Sequence, residues 1–170
     1  QGYKVFKLKV GSKNIPLDVK KVEAVQSTIC FGSLLRLDVN RGWSLNEAIA
    51  FGKNVDPNGI EFIEEPLNDL NDLRRFAQAA HLPIALDESL FPFNPQHAVS
   101  FEDVKFLVFK PMVMGGIGKA LEWIDKAQSK GKRVVVSSSF ESGVGRLMLA
   151  NLALLTSSAA GLGAGDWLKE

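Results

Sequence analysis

The sequence predicts a barrel of parallel β-strands alternating with α-helices, and three observations lead there. Strand-like and helix-like stretches alternate through the whole chain, the pattern of consecutive βαβ units. Taking one polar residue at the end of each strand-like run gives Lys9, Asp38, Glu64, Asp87, Lys110 and Ser137, spaced 29, 26, 23, 23 and 27 residues apart. That even step of one strand plus one helix suits a (β/α) barrel better than a doubly wound sheet. Three of the runs also end in an acid: 34–37 in Asp38, 60–63 in Glu64 and 83–86 in Asp87. Barrel strands converge at their C-terminal ends on one site, and burying carboxylates there is costly unless a cation or a donor meets them.

In chain order, residues 3–10 alternate lysines with Val5, Leu8 and Val10 and read as a strand ended by Gly11. Residues 17–29 carry Leu17, Val22, Val25 and Ile29 at helical spacing, and 34–39 form the second strand. Ser44 predicts a helix N-cap, with Glu47 completing a capping box before Ala48, Ile49 and Phe51. After the Asn58–Gly59 turn, 60–64 is the third strand, closed by Pro66. Residues 68–80 read as a helix with Leu70, Leu73, Phe76 and Ala80 on one face.

Residues 83–87 are the fourth strand, 91–100 a loop with a turn of helix, and 104–110 the fifth strand, stopped by Pro111. A helix over 117–129 turns Ile117, Leu121, Ile124 and Ala127 inward, and the β-branched run 134–136 leads into Ser137-Ser138-Ser139. A helix over 143–156 carries Leu147, Leu149, Leu152 and Leu155, and 161–168 holds a last short strand. A full barrel needs eight strands and about 250 residues. Six firm strands and one weak one therefore predict a single partial barrel domain over 1–170 that lacks its first strand. The start at Gln1 fits a piece of a longer protein.

Composition narrows the function. With 46% hydrophobic and 23% charged residues, the 170-residue chain can bury one sizeable core. A net charge of +1 and the lack of a basic cluster argue against nucleic-acid and membrane partners. One cysteine, Cys30, excludes an internal disulfide framework and fits a reducing, cytoplasmic setting. His81, His97 and Cys30 do not make a zinc set. Residues 114–119 (MGGIGK) miss the phosphate-loop pattern, which needs Gly at Val113 and Ser or Thr at Ala120.

The polar strand ends carry the chemistry. Asp38, Glu64 and Asp87 on three successive strands suit one hard divalent cation such as Mg²⁺, which prefers carboxylates and water. The competing account makes them N-caps of the helices that follow. Lys7 and Lys9 lie two apart and share a strand face, where like charges lower each other's pKa and favour a general base. The competing account is a solvated edge strand. Lys110 closes the apolar run 106–109, where solvation explains it less well. Two lysines flanking a metal suit removal of a proton α to a carboxylate.

The ordered set Lys7-Leu8-Lys9, Leu37-Asp38-Val39-Asn40, Ile63-Glu64-Glu65-Pro66, Leu86-Asp87-Glu88-Ser89 and Phe109-Lys110-Pro111 resembles the enolase superfamily. Within its muconate lactonizing enzyme subgroup the chain looks most like the o-succinylbenzoate synthase family, from Tyr3 to about Leu168. The resemblance implies an enolase-type (β/α)₇β barrel, here without the family's N-terminal capping domain. It implies Lys9 as acid/base, Lys110 opposite it, and Lys7 as auxiliary. Asp38, Glu64 and Asp87 would bind Mg²⁺, or Mn²⁺ in its place, with Asn40 and Glu88 behind them. Arg36, Ser137 and the main chain near Gly161 would contact a small carboxylate substrate.

The reaction so implied is dehydration to o-succinylbenzoate in menaquinone synthesis, by a monomer or homo-oligomer. An N-acylamino acid racemase of the same superfamily, which uses the same lysines and metal, is the alternative. A non-catalytic binding barrel is the reading from another class, and retention of all three acids argues against it. The segment 161–166 lacks the D-x-D pattern of dipeptide epimerases.

Overall fold

The computed structural model describes residues 2–91 and 95–163. They fall into two compact units, Gln1–Glu88 and Ser89–Glu170. The first holds strands β1 (Val5–Lys9), β2 (Leu34–Asp38), β3 (Ile60–Glu64) and β4 (Ile84–Leu86). Neighbours pair in parallel and in sequence order, with Lys9 in register with Asp38 and Asp38 with Glu64. Helices α1 (Ile15–Gln26), α2 (Leu45–Asn54) and α3 (Leu73–Ala80) connect them. Every residue of β3 and β4 is buried, as expected of parallel strands covered on both faces.

The connections follow from local chemistry. Helix α1 starts two residues before the predicted 17–29, because Asn14 Oδ1 accepts the Leu17 N–H at 3.1 Å and Pro16 suits the first turn. Its inward residues are Asp18, Val19 and Val22, whereas Leu17 is exposed. Helix α2 begins after Ser44 as predicted, with the Glu47 carboxylate accepting the Ser44 N–H at 2.8 Å. This bond, with those from the Ser44 hydroxyl and Lys13 Nζ, holds the Glu47 carboxyl down at about 2.

The predicted helix over 68–80 is a short 3₁₀ turn, Leu70–Asp72, before α3, since Asp69 caps the Asn71 N–H and tightens the entry. Gly52 of α2 lies so close to α3 that an added Cβ would stand 2.4 Å from the Ala80 Cβ. Trp43 is fully buried, packs tilted against Phe51 with ring centroids 4.6 Å apart, and donates its ring N–H to Ser12 O at 2.8 Å.

The second unit contains α4 (Pro95–Ala98), β5 (Val104–Phe109), α5 (Ile117–Ser129), β6 (Arg133–Val136) and α6 (Gly143–Ala153). Strands β5 and β6 are parallel and in register, Phe109 with Val136. Helix α5 buries Ala120, Trp123, Ile124 and Ala127, an i, i+3, i+4, i+7 stripe, and Trp123 meets Phe109 edge-on at 5.0 Å. Leu121, expected inward, is exposed because it sits one residue off that stripe. Helix α6 buries Leu149 and Leu152 and ends at Ala153, three residues before the predicted end. The predicted last strand reduces, among the described residues, to one parallel bridge between Ser137 and Gly161. Residues 164–168 of that prediction lie outside the described residues.

Candidate active site

The first unit gathers the predicted acids and the lysine pair at the C-terminal ends of its strands. Lys7 and Lys9 share a face of β1, and both reach the buried Asp38. Lys7 Nζ lies 2.8 Å from Asp38 Oδ2 and 2.8 Å from Glu64 Oε1, while Lys9 Nζ lies 2.6 Å from Asp38 Oδ2. Carboxylate oxygens of Glu64, Asp87 and Glu88 lie within 4.8 Å of one another. Glu88, assigned from sequence a place behind the ligands, thus stands with Glu64 and Asp87. Asp38 joins Glu64 through the Lys7 ammonium. Asn40 spans the group: its Nδ2 donates to Glu88 Oε1 at 3.3 Å, and its Oδ1 accepts from Lys9 Nζ.

The electrostatics show acids in excess. Burial pushes Glu64 up to about 8; Lys7 opposes the shift, while Asp38 and Asp87 add to it. Burial also resists ionisation of Asp38, but Lys7 and Lys9 overcome it and hold Asp38 below the usual carboxylate range. Burial disfavours the Lys7 charge, yet Glu64 and Asp38 raise its pKa above the ordinary lysine value. The helix-cap account of Asp38 and Glu64 fails here, since the N-cap positions of the next α-helices are Ser44 and Asp72.

A hard divalent cation fits this donor set. The available donor atoms are all carboxylate oxygens, and Asp38 and Glu64 already share one cationic group, the Lys7 ammonium.

Arg36 is placed differently from the simplest expectation of a substrate-facing cation. It is buried, and its Nε donates to Glu61 Oε2 at 2.6 Å, with its guanidinium over the Phe62 ring at 5.0 Å. A β-bulge between Leu35 and Arg36 accompanies this pairing. Glu61, the acid in the middle of the apolar run 60–63, is the signal in the sequence that could have named the partner.

In the second unit, Lys110 follows β5 directly, and its carbonyl accepts from the Val113 and Met114 N–H groups. Ser137 and Gly161 come together: Gly161 donates to Val136 O at 2.8 Å, and Ser137 Oγ donates to Gly161 O at 3.4 Å. A Cβ at Gly161 would stand 3.2 Å from Ser137 Oγ. Sequence reasoning missed Glu141, whose buried carboxylate accepts the Ser139 N–H at 2.6 Å in the loop after β6.

Residues 1–166 match the model of the enolase C-terminal domain-like family. The chain belongs to this family. It lies in the muconate lactonizing enzyme subgroup of the enolase superfamily. An o-succinylbenzoate synthase of Pasteurella multocida is 37% identical over 160 residues, covering 90% of the chain and 47% of the relative. The chain thus spans about half the length of that curated relative.

Among solved enolase-type structures, the L-Ala-D/L-Glu epimerase from Bacillus subtilis has a TM-score of 0.81 at 27% identity, over 95% of the chain and 46% of the other. The muconate lactonizing enzyme from Pseudomonas putida has a TM-score of 0.80 at 26% identity, over 92% and 45%. The (β/α) barrel class expected from the strand spacing, and the enolase type that the resemblance implied, are therefore shown. Among the described residues, no helix of this enolase-type chain is long and apolar enough to cross a membrane.

Proposed function

We propose that the chain is the barrel domain of a metal-dependent lyase that removes a proton α to a carboxylate and eliminates water, forming o-succinylbenzoate in menaquinone biosynthesis. The observation that carries the choice of reaction is the 37% identity to an o-succinylbenzoate synthase over 90% of the chain. The pairing of Lys9 with Asp38 at the strand ends supports the chemistry.

Lys9 takes the α-proton and then gives a proton to the departing hydroxide from the same face. Lys7, tied to Asp38 and Glu64, fixes their carboxylates and adds positive charge beside the base. Asp38, Glu64 and Asp87 would hold Mg²⁺ or Mn²⁺, with Glu88 and Asn40 beside them. When bound, the metal supplies electrostatic stabilisation of the charge developing on the substrate carboxylate. We give Lys110 the second cationic role, and Ser137 with Gly161 the substrate contact, and the family likeness supports this reading. We assign the working protein to the cytoplasm.

The likeness to solved dipeptide epimerases, one with a TM-score of 0.83, favours a second reading. In it the same lysines move a proton on and off one carbon without loss of water, as in an N-acylamino acid racemase. Assaying the protein that contains this chain for both activities decides between them. Water elimination from the succinyl-hydroxycyclohexadiene carboxylate is expected, and racemisation without elimination would replace the lyase reading.

A further inference from the structure

The neighbour of Glu64, Glu65, plays no part in the site as derived, yet its geometry is unusual. It is fully buried and adopts φ +47°, a left-handed conformation that a non-glycine residue keeps only where its surroundings impose it. Its surroundings do. Glu65 Oε1 accepts the Asp87 backbone N–H at 2.8 Å, its own N–H donates to Ala85 O at 3.0 Å, and its carbonyl accepts the Arg41 N–H at 2.8 Å. Arg41 and the adjacent Asn40 are also left-handed, at φ 59° and 48°. The strained backbone after β2 and the strained turn after β3 therefore meet at Glu65, and its carboxylate ties both to Asp87, the residue that follows β4.

We infer that Glu65 is a positioning residue for the cation site, its carboxylate fixing the Asp87 main chain so that Asp87 stands against Glu64 and Glu88. The left-handed turn is the means. It lets consecutive residues Glu64 and Glu65 present one carboxylate to the cluster and the other to the Asp87 amide. A straight strand would point them to opposite faces. An acceptor oxygen of the right length is needed there, and a neutral amide supplies one in part.

This role rests on the metal reading above, so the experiment separates the two. Mn²⁺ affinity is measured by titration calorimetry for the wild-type protein that contains this chain and for its Glu65→Ala, Glu65→Gln and Gly52→Ala variants. The last disturbs only the remote α2–α3 contact and serves as a control of lowered stability. Hydrogen exchange at the Asp87 amide is measured in the metal-free proteins. Glu65→Ala should bind Mn²⁺ about 10- to 100-fold more weakly, Glu65→Gln should recover most of the loss, and Gly52→Ala should bind like wild type.

The Asp87 amide should exchange at least about fivefold faster in Glu65→Ala than in wild type. Unchanged exchange at Asp87, unchanged affinity in Glu65→Ala, or an equal loss in Gly52→Ala would overturn the role. A wild-type chain that binds no Mn²⁺ while Asp87 exchange still responds to Glu65→Ala would overturn the metal reading and leave Glu65 with a purely structural tie.

Discussion

Lys9 and Asp38 occupy matched register positions on adjacent parallel strands, and the Lys9 ammonium lies 2.6 Å from Asp38 Oδ2. The Lys9 side chain is 65% exposed, so this ion pair contributes no more than about 1 kcal/mol to folding. Lys9→Ala should therefore keep the melting temperature and Mg²⁺ affinity nearly intact. Proton exchange at the substrate α-carbon, followed by NMR in D₂O, should fall by at least ~100-fold. Near-normal turnover in Lys9→Ala would remove this lysine from the mechanism. Lys110→Ala should also stop dehydration, without a matching loss of Mg²⁺ binding.

Lys7 contributes more to the fold than Lys9 does, because it bridges two buried carboxylates. Lys7→Ala leaves Asp38 with less compensation and Glu64 with none from that side. Since Lys7 is itself partly exposed, the expected cost is about 1–3 kcal/mol, below that of breaking a fully buried pair. Mg²⁺ should restore more stability to Lys7→Ala than to wild type, read as the shift in melting temperature with added metal. An equal shift in both proteins would mean that the cation does not bind near Asp38 and Glu64.

Removing a ligand should act on the metal first. Glu64→Gln and Asp87→Asn should each weaken Mn²⁺ binding by at least about 10-fold, as measured by calorimetry. Glu88→Gln discriminates between the two placements of that residue. A loss as large as that of Asp87→Asn would make Glu88 a direct ligand, and a small loss would leave it in support.

The Arg36–Glu61 pair predicts a stability effect where a substrate contact was expected. Arg36→Met leaves Glu61 as a buried acid that has lost a charged partner, a change of about 3–5 kcal/mol when a buried pair is broken. The double substitution Arg36→Met with Glu61→Leu should recover most of that loss in urea unfolding. Activity restored by the double variant would show that Arg36 acts through the fold. Activity still lost in a stable double variant would show that it acts on substrate.

Asp18 gives a pH dependence outside the site. It is fully buried at the start of α1, and accepts the Gly11 and Ser12 N–H groups at 3.0 and 2.7 Å and Lys21 Nζ at 2.9 Å. Burial opposes its ionisation, but Lys21, Ser12 and Gly11 outweigh burial and lower its pKa. A carboxylate lowered on folding stabilises the protein fully above its unfolded pKa of about 3.9 and loses that contribution as pH falls through the folded value. Asp18→Asn should destabilise the chain at pH 7 by about 1–3 kcal/mol and flatten the acid limb of stability against pH. An unchanged acid limb would show that other groups govern it.

The alternation of apolar runs with capped helical stripes was enough to place each of the six strands among the described residues and the barrel class, because period and punctuation are local properties. The capping box at Ser44 and Glu47 and the acids closing three strands were legible for the same reason. Sequence alone also placed Lys7 and Lys9 on one face, since a strand has a period of two. What each polar side chain meets was decided only in three dimensions.

Arg36 and Asp38 share a strand and a parity, yet one pairs with Glu61 across a bulge and the other with two lysines of β1. Glu64 and Glu65 are identical neighbours in sequence. Only the left-handed turn at Glu65, imposed by hydrogen bonds from Arg41 and Asp87, sends one carboxylate to the acid cluster and the other to a backbone amide. Partners separated by tens of residues are brought together by strand register and loop strain, and those depend on the whole unit folding at once rather than on any stretch of it.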